Sequence, residues 1–179
     1  MELPPADHPK PNQRPPYRPN QPQSEQRRLA AVSACGVLDT PREPAFDNIV
    51  FVAAQLFRVP MAKLAVVAED RVWLKASVGR LRQNIPRTEA FCPAVIERGE
   101  LLVVEDALSD NRFTTLPMVA TDPHVRFYAG VPLHGPERQL VGTLSVLDTH
   151  PRTVPERARN QLLQLALEAE TLLNQRATP

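Results

Sequence analysis

Apolar residues recur at helical spacing in two long segments of the chain. The first segment holds Phe46, Ile49, Val50, Ala53 and Phe57. This spacing predicts an amphipathic helix, since residues three and four apart share a helix face. The helix is expected to end before Pro60, because the residue preceding a proline avoids the helical conformation.

The second segment lies near the C-terminal end. Its apolar stripe comprises Leu162, Leu165, Ala166, Ala169, Leu172 and Leu173. Leu163 and Leu167 fall outside this stripe, on a neighbouring face of the predicted helix. One sheet needs only one apolar helix face, so the additional face predicts contact with another subunit.

Both helices carry candidate N-terminal capping signals. Thr40 and Glu43 have the spacing of a capping box, with Pro41 at the predicted first helical position. Thr153 and Glu156 have the same spacing before the C-terminal segment. These signals predict helix starts at Pro41 and just after Thr153.

After Pro60 the pattern changes to a period of two. The stretch MAKLAVVAEDRVWLKASVG predicts two strands joined at Glu69-Asp70. Alternation in the second strand predicts one apolar face and one face with polar residues and the only tryptophan. The apolar face comprises Val72, Leu74, Ala76 and Val78, and the other face Arg71, Trp73, Lys75 and Ser77.

Three more strands are predicted further along the chain. Residues 101–106 form a short strand and residues 125–148 a hairpin. The second arm of the hairpin, residues 140–147, is apolar on both faces, which is typical of a central strand. Gly130 and Gly142 lie inside the arms, where a glycine indicates a bulge or a close approach by another backbone or a ligand.

The predicted order is therefore helix, helix, hairpin, short helix, strand, loop, hairpin, helix. Strands that are joined as hairpins pair in antiparallel fashion. The sequence predicts an α+β fold with a central antiparallel sheet and helices on one side.

Composition and charge narrow the class of protein. The chain has 179 residues, of which 42% are hydrophobic and 23% charged, which is ordinary for a soluble globular protein. Its net charge of +1 gives no reason to expect nucleic acid or an anionic membrane as a partner. No apolar run approaches the roughly 18 residues that span a bilayer. The N-terminus has no signal-peptide pattern, so we expect a cytoplasmic location.

The N-terminal segment has a different composition. Eight of the 20 prolines lie within residues 1–23, namely Pro4, Pro5, Pro9, Pro11, Pro15, Pro16, Pro19 and Pro22. With so little apolar content, this segment is predicted to be a disordered tail, either a solvated leader or a ligand for a proline-reading module. The folded domain is predicted over residues 24–176, starting with a short helix that Gly36 terminates.

Two cysteines, Cys35 and Cys92, are the candidates for thiol chemistry. They lie far apart in sequence, and two free thiols are the expectation, although the sequence leaves a disulfide open. The four histidines show no metal-ligand spacing, and no nucleophile elbow or phosphate-binding glycine motif occurs. No metal or cofactor is therefore predicted.

Several stretches, in this order, resemble a GAF domain: GVLDTPREPAFDNIVFVAAQLFRVPMAKLAVV, DRVWLKASVG, IPRTEAFC, LLVVEDALSDNRF, VRFYAGVPL and VGTLSVLDTHPR. The resemblance covers about residues 24–176. It is to the bacterial sensory subgroup often found upstream of histidine kinase or diguanylate cyclase domains. After Arg176 only three residues follow, so a stand-alone domain is expected, with its output through a dimer or a separate partner protein.

The resemblance implies a sheet of five to six strands, with the terminal helices on one face. Loops on the other face would cover a small-molecule pocket, and the terminal helices would form a homodimer.

The resemblance also informs the interpretation of Cys92. Pro93 stands where bilin-binding relatives have a histidine, and the histidine common in this subgroup is absent as well. A packing cysteine is the main interpretation of Cys92. A redox-sensing or ligand-contacting thiol, or a reductase with Cys35 as the resolving thiol, are the alternatives.

The long loop over residues 107–124 and its flanks supply further candidate ligand contacts, since long loops tend to be functional. Its acids and arginine suit the carboxylate, phosphate or amine of a ligand, or simply tie down the loop. The predicted ligand-binding residues are Trp73, Phe91, Cys92, Asp106, Asp110, Arg112, Phe113 and Tyr128. The sequence thus predicts a non-catalytic sensory module for an unidentified small molecule. The alternatives are a thiol-based sensor or reductase, and a ligand-free protein-interaction domain.

Overall fold

A computed structural model describes residues 22–177 of the chain. The predicted tail over residues 1–23 lies outside the described residues except for its last two, which belong to the first helix, so its disorder stays a prediction. Helix α1 (Pro22–Ala34) is followed by Gly36 in the left-handed conformation, with φ of 58°, as predicted.

Six strands form one antiparallel sheet. They are β1 (Met61–Val67), β2 (Arg71–Val78), β3 (Asn84–Pro86), β4 (Leu102–Val104), β5 (Phe127–His134) and β6 (Leu140–Asp148). The spatial order is β3-β2-β1-β6-β5-β4. The apolar strand β6 is central, between β1 and β5, as its composition predicts. The short edge strand β3 has no clear signal in the sequence.

The helices divide between the two sides of the sheet. Helices α1, α2 (Pro44–Phe57) and α5 (Glu156–Arg176) pack on one side, called here the helix-facing side. Helices α3 (Cys92–Arg98) and α4 (Pro117–Ala120) belong with the loops to the other, loop-facing side. This arrangement confirms the predicted α+β fold. Within residues 22–177, no helix combines the length and apolar character needed to cross a bilayer.

A bulge at Lys75 changes which side chains of β2 share a face. Leu64 pairs with Ala76 and the next residue, Ala65, pairs with Leu74, so Lys75 is an extra residue in the ladder. Such a residue interrupts the alternation of side chains. Val72 and Leu74 consequently lie on the loop-facing side, whereas Trp73, Ala76 and Val78 contact the helix-facing core. The predicted single apolar face of β2 is therefore wrong.

The buried ammonium group of Lys75 lies on the helix-facing side. Its Nζ donates to Thr40 Oγ1 at 2.8 Å, to the Pro41 carbonyl at 2.7 Å and to Glu43 Oε1 at 2.5 Å. Nζ also lies 5.5 Å from the centre of the Phe46 ring. All of these groups precede or begin α2, so Lys75 anchors the start of this helix to the sheet.

These contacts explain why the first predicted capping box is absent. Helix α2 starts at Pro44, with no side-chain capping hydrogen bond, because Thr40 and Glu43 bind Lys75 instead. The second predicted box is absent as well. Pro155 occupies the position before α5, and no side chain caps that helix.

Candidate ligand-binding site on the loop-facing side of the sheet

Five fully buried side chains with polar atoms occupy the loop-facing side of the central strands. They are Lys63, Cys92, Tyr128, Thr143 and Ser145, each with an exposed fraction of 0%, and are called here the polar cluster. The strands place them by alternation, because their sequence neighbours Ala62, Leu64, Ala129, Leu144 and Val146 belong to the helix-facing core. Helix α3 contributes Cys92, which packs against Ala65 and its neighbours.

Short contacts connect four members of the polar cluster. The Thr143 hydroxyl donates to Cys92 Sγ at 3.2 Å and lies 3.4 Å from the Ser145 hydroxyl. The Tyr128 hydroxyl donates to the same sulfur at 3.9 Å. Burial raises the pKa of Tyr128 well above its ordinary value.

Aromatic rings form one wall beside the polar cluster. Phe91 stacks on Tyr128, with ring centres 4.5 Å apart and planes inclined by 10°. Phe113 meets the Phe91 ring at 4.8 Å. The predicted residues Phe91, Cys92, Phe113 and Tyr128 are thus brought together on this side of the sheet. Ligand binding by them remains a prediction.

Both strand glycines mark close approaches, by a side chain at Gly130 and, as the sequence predicts, by another backbone at Gly142. A Cβ atom at Gly130 would overlap the Tyr128 hydroxyl, which lies over this position. Gly130 pairs with Ser145, so the missing side chain lets the phenol reach the hydroxyl groups of β6. A Cβ atom at Gly142 would overlap the carbonyl oxygen of Ala65 on β1.

Lys63 differs from the other members of the polar cluster. It pairs with Ser77 on β2 and with Ser145 on β6. Among the described residues, its Nζ is the one buried side-chain nitrogen or oxygen without a hydrogen-bond partner. Burial of such a group costs free energy unless something pairs with it.

A cleft of about 400 Å³ opens above this side of the sheet. One wall is the 80–89 segment, which contributes Arg80, Arg82 and Glu89, and the other is the 117–123 segment that contains α4. The half-buried side chains of Leu81 and Met118 line the cleft and also pack against the apolar residues around the polar cluster. The buried core residue Ile85 also lines the cleft, so the cleft borders the apolar core of this side.

The structure separates Trp73 from the other predicted site residues. Trp73 is 4% exposed and belongs to the helix-facing core, across the sheet from Cys92 and Tyr128. The bulge at Lys75 leaves Trp73 paired with Val66, which also faces the helices. The sequence prediction that Trp73 contacts a ligand in the loop-facing pocket is therefore wrong, because Trp73 lies on the other side of the sheet.

Asp106, Asp110 and Arg112 bind within their own loop. Asp106 accepts hydrogen bonds from the Leu108 amide and the Ser109 hydroxyl. Arg112 donates to both carboxylate oxygens of Asp110, at 2.9 and 2.6 Å, while remaining 57% exposed. These hydrogen bonds lower the pKa of Asp110. The loop-fixing interpretation of these residues thus has direct geometric support.

The two cysteines lie on opposite sides of the sheet. Cys35 is fully buried in the helix-facing core, and both thiols are free. Burial raises the pKa of Cys35 to about 11, so its reactive thiolate form is scarce near neutral pH. Because the sheet lies between Cys35 and Cys92, this fold keeps them apart as free thiols.

Sequence reasoning missed Lys63, Thr143 and Ser145. A signal for them exists in the strand pattern, because, apart from Asp148 at the end of β6, they are the polar positions of two otherwise apolar central strands. No group of three or more histidine, cysteine or acidic side chains within residues 22–177 is arranged to hold a metal ion.

Comparison with known proteins identifies the fold family. Residues 27–173 match the GAF domain family. A cyclic di-GMP phosphodiesterase from Pseudomonas aeruginosa is 36% identical over 138 residues, which are 77% of this chain but only 23% of that relative.

Two solved structures share the fold at low sequence identity. The free methionine-R-sulfoxide reductase of Neisseria meningitidis, in complex with its substrate, has a TM-score of 0.62 at 18% identity, covering 91% of this chain and 96% of its own. The blue-light absorbing form of the PixJ GAF domain from Thermosynechococcus elongatus has a TM-score of 0.60 at 17% identity, covering 87% and 90%. The family match spans most of the chain, and the sheet order and helix placement agree with it: this chain belongs to the GAF domain family.

Proposed function

We propose that this chain is a sensory GAF domain without catalytic activity, which binds a small molecule on the loop-facing side of its sheet. The observation that carries the proposal is the polar cluster, buried on the same side of the sheet as the cleft. Protein cores are normally apolar, and ligand sites combine mostly apolar walls with a small number of polar groups. The position of the cluster on the central strands allows a ligand to act on the whole sheet.

The relatives support a sensory role more than a catalytic one. In the cyclic di-GMP phosphodiesterase, the region similar to this chain makes up only 23% of the protein, and the rest is further sequence. The PixJ structure is a light-absorbing GAF domain. A GAF domain in such settings would act as an input module, and its signal would pass through a dimer or to a separate protein.

Exposed apolar side chains support signalling through a dimer. Leu163 and Leu167, one turn apart on α5, are 39% and 54% exposed. Phe51 on α2 is 53% exposed. The buried stripe of α5 contacts the sheet through other residues, so Leu163 and Leu167 are available to a second subunit. A ligand would change such a dimer by binding its two states unequally.

Thiol catalysis has weaker support. Cys92 is fully buried and accepts a hydrogen bond from Thr143, while Cys35 lies across the sheet. A reductase that resolves through an internal disulfide would require these two sulfurs to meet. The similarity to a methionine sulfoxide reductase is at 18% identity and concerns the fold.

Native mass spectrometry of the purified protein, repeated after denaturation, tests the proposal. We expect a dimer mass and an excess mass that denaturation removes. Ser145→Leu, which fills the polar cluster, should lose the excess and keep the dimer. The matched double variant Leu163→Glu/Leu167→Glu should lose the dimer and keep the excess. An excess that survives denaturation would favour covalent chemistry at a cysteine, and no excess in any preparation would contradict ligand binding.

A further inference from the structure

We propose that the ligand of the loop-facing side carries a carboxylate group, which pairs with the ammonium group of Lys63. This inference rests on the proposed ligand-binding function and adds the chemical class of the ligand. The observation behind it is the position of Lys63, a fully buried lysine whose Nζ has no hydrogen-bond partner among the described residues.

The sheet itself holds Lys63 in this position. It is the third residue of β1, between the neighbouring strands β2 and β6, and pairs with Ser77 and Ser145. Its neighbours Ala62 and Leu64 face the helices, while Met61 and Ala65 pack on the loop-facing side. The side chain is therefore directed to the loop-facing side of the sheet.

Other buried charges of the described chain are already compensated. Arg28 binds Glu25, and Lys75 binds Glu43. Asp148 binds Arg152 through a 2.5 Å contact. A buried charge without such a partner is costly, and natural proteins keep one mainly where function requires it. Lys63 is the exception among these groups, which points to a partner supplied from outside the chain.

The number and type of groups around Lys63 favour a monoanion. The other members of the polar cluster on this side supply hydroxyl groups and a thiol, and burial keeps the Tyr128 hydroxyl neutral. One cation balances one negative charge, whereas a phosphate dianion would bring a second charge without a partner. A carboxylate has one charge and two oxygens, so it suits one ammonium group and the hydroxyl of Ser145, which pairs with Lys63 across the strands.

The cleft provides the route for such a ligand. Leu81 and Met118 line the cleft and cover the apolar residues around the polar cluster. Both side chains are unbranched at Cβ and half-buried, so they can change rotamer to admit a small molecule. The surrounding Met61, Ala65 and Phe91 are apolar, which favours an organic acid with a short apolar body.

Thermal unfolding with simple acids tests this inference. The probes are sodium formate, acetate and propionate, with acetamide and propionamide as neutral analogues and sodium chloride to match ionic strength. We expect at least one acid to raise the unfolding midpoint of the wild-type chain with a saturable dose response, and its amide to have no effect. Lys63→Met should weaken the apparent affinity for that acid at least tenfold. Arg112→Ala, which removes an exposed cation, should keep it.

Two outcomes would overturn the inference. One is an equal response of wild type and Lys63→Met to every probe, and the other is no response of the wild type to any acid. Lys63→Gln, which keeps a polar head group without the charge, provides a second test if Lys63→Met folds poorly. Native mass spectrometry distinguishes failure of the carboxylate inference from failure of the proposed ligand binding. An excess mass retained by Lys63→Met would leave ligand binding intact and reject the carboxylate, whereas no excess in either protein would reject both.

Discussion

The two sides of the sheet each bury one lysine, and the two lysines have opposite surroundings. Lys75 on the helix-facing side donates three hydrogen bonds, one of them to the Glu43 carboxylate. Lys63 on the loop-facing side has no hydrogen-bond partner among the described residues. Both are at most 1% exposed, so burial alone does not distinguish them.

The difference indicates that the two sides serve different purposes. On the helix-facing side, the polar groups of Lys75 and its partners satisfy one another and fix α2 on the sheet. On the loop-facing side, the charge of Lys63 is left for a partner outside the chain. Proteins commonly give up stability at functional sites in this way.

The largest expected effect is that of Lys75→Met. This change removes the donor for Thr40, the Pro41 carbonyl and Glu43, and it detaches the start of α2 from the sheet. We expect a loss of roughly 2–3 kcal/mol in the free energy of unfolding. Urea unfolding at neutral pH measures it. A change below about 0.5 kcal/mol would mean that the helix-facing lysine is not a structural anchor.

Lys63→Met should have the opposite sign. Methionine has a similar length and needs no hydrogen bonds, so it removes a buried group that lacks a partner. In carboxylate-free buffer we expect a gain of about 1 kcal/mol in the free energy of unfolding. The same urea titration serves here, with Lys75→Met as the matched control. A loss as large as that of Lys75→Met would remove the distinction between the two sides.

The smallest effect concerns the exposed pair of Asp110 and Arg112. Arg112→Ala should cost only a few tenths of a kcal/mol at neutral pH, because exposed ion pairs are screened by water and salt. Arg112 lowers the pKa of Asp110, so the pair stabilises the fold above pH 3.8. This contribution is lost as the pH falls through the lowered folded-state pKa.

Stability titrations of wild type and Arg112→Ala should therefore converge at acidic pH. If Arg112→Ala instead abolished ligand binding while leaving stability unchanged, Arg112 would be a ligand contact rather than a loop-fixing residue.

Much of the fold could be predicted from the period of the apolar residues. The change from helical spacing to alternation after Pro60 located β1 and β2, and the apolar arm over residues 140–147 identified β6 as central. Local rules failed where tertiary contacts took over. Thr40 and Glu43 have the spacing of a cap, yet both bind Lys75, which is more than 30 residues away in sequence.

The site was predictable only in part for the same reason. Cys92 was singled out as one of two thiols, and Phe91 and Tyr128 as aromatic residues in stretches that resemble a GAF domain. Trp73 was misplaced because one bulge at Lys75 reverses the faces of β2, and alternation alone does not reveal a bulge. Lys63 was overlooked, since a lysine within an apolar strand reveals its missing partner only when the surrounding contacts are known.

A crystal structure of the protein, purified as expressed and crystallised from carboxylate-free solutions, would show directly what each buried lysine contacts. The measurement is the electron density around the Nζ atoms of Lys63 and Lys75. We predict that Lys75 Nζ contacts only Thr40, Pro41 and Glu43, whereas Lys63 Nζ contacts the carboxylate of a bound molecule. Lys63 bonded to a protein carboxylate, or turned out to solvent with the loop-facing side closed, would mean that this lysine does not bind a ligand.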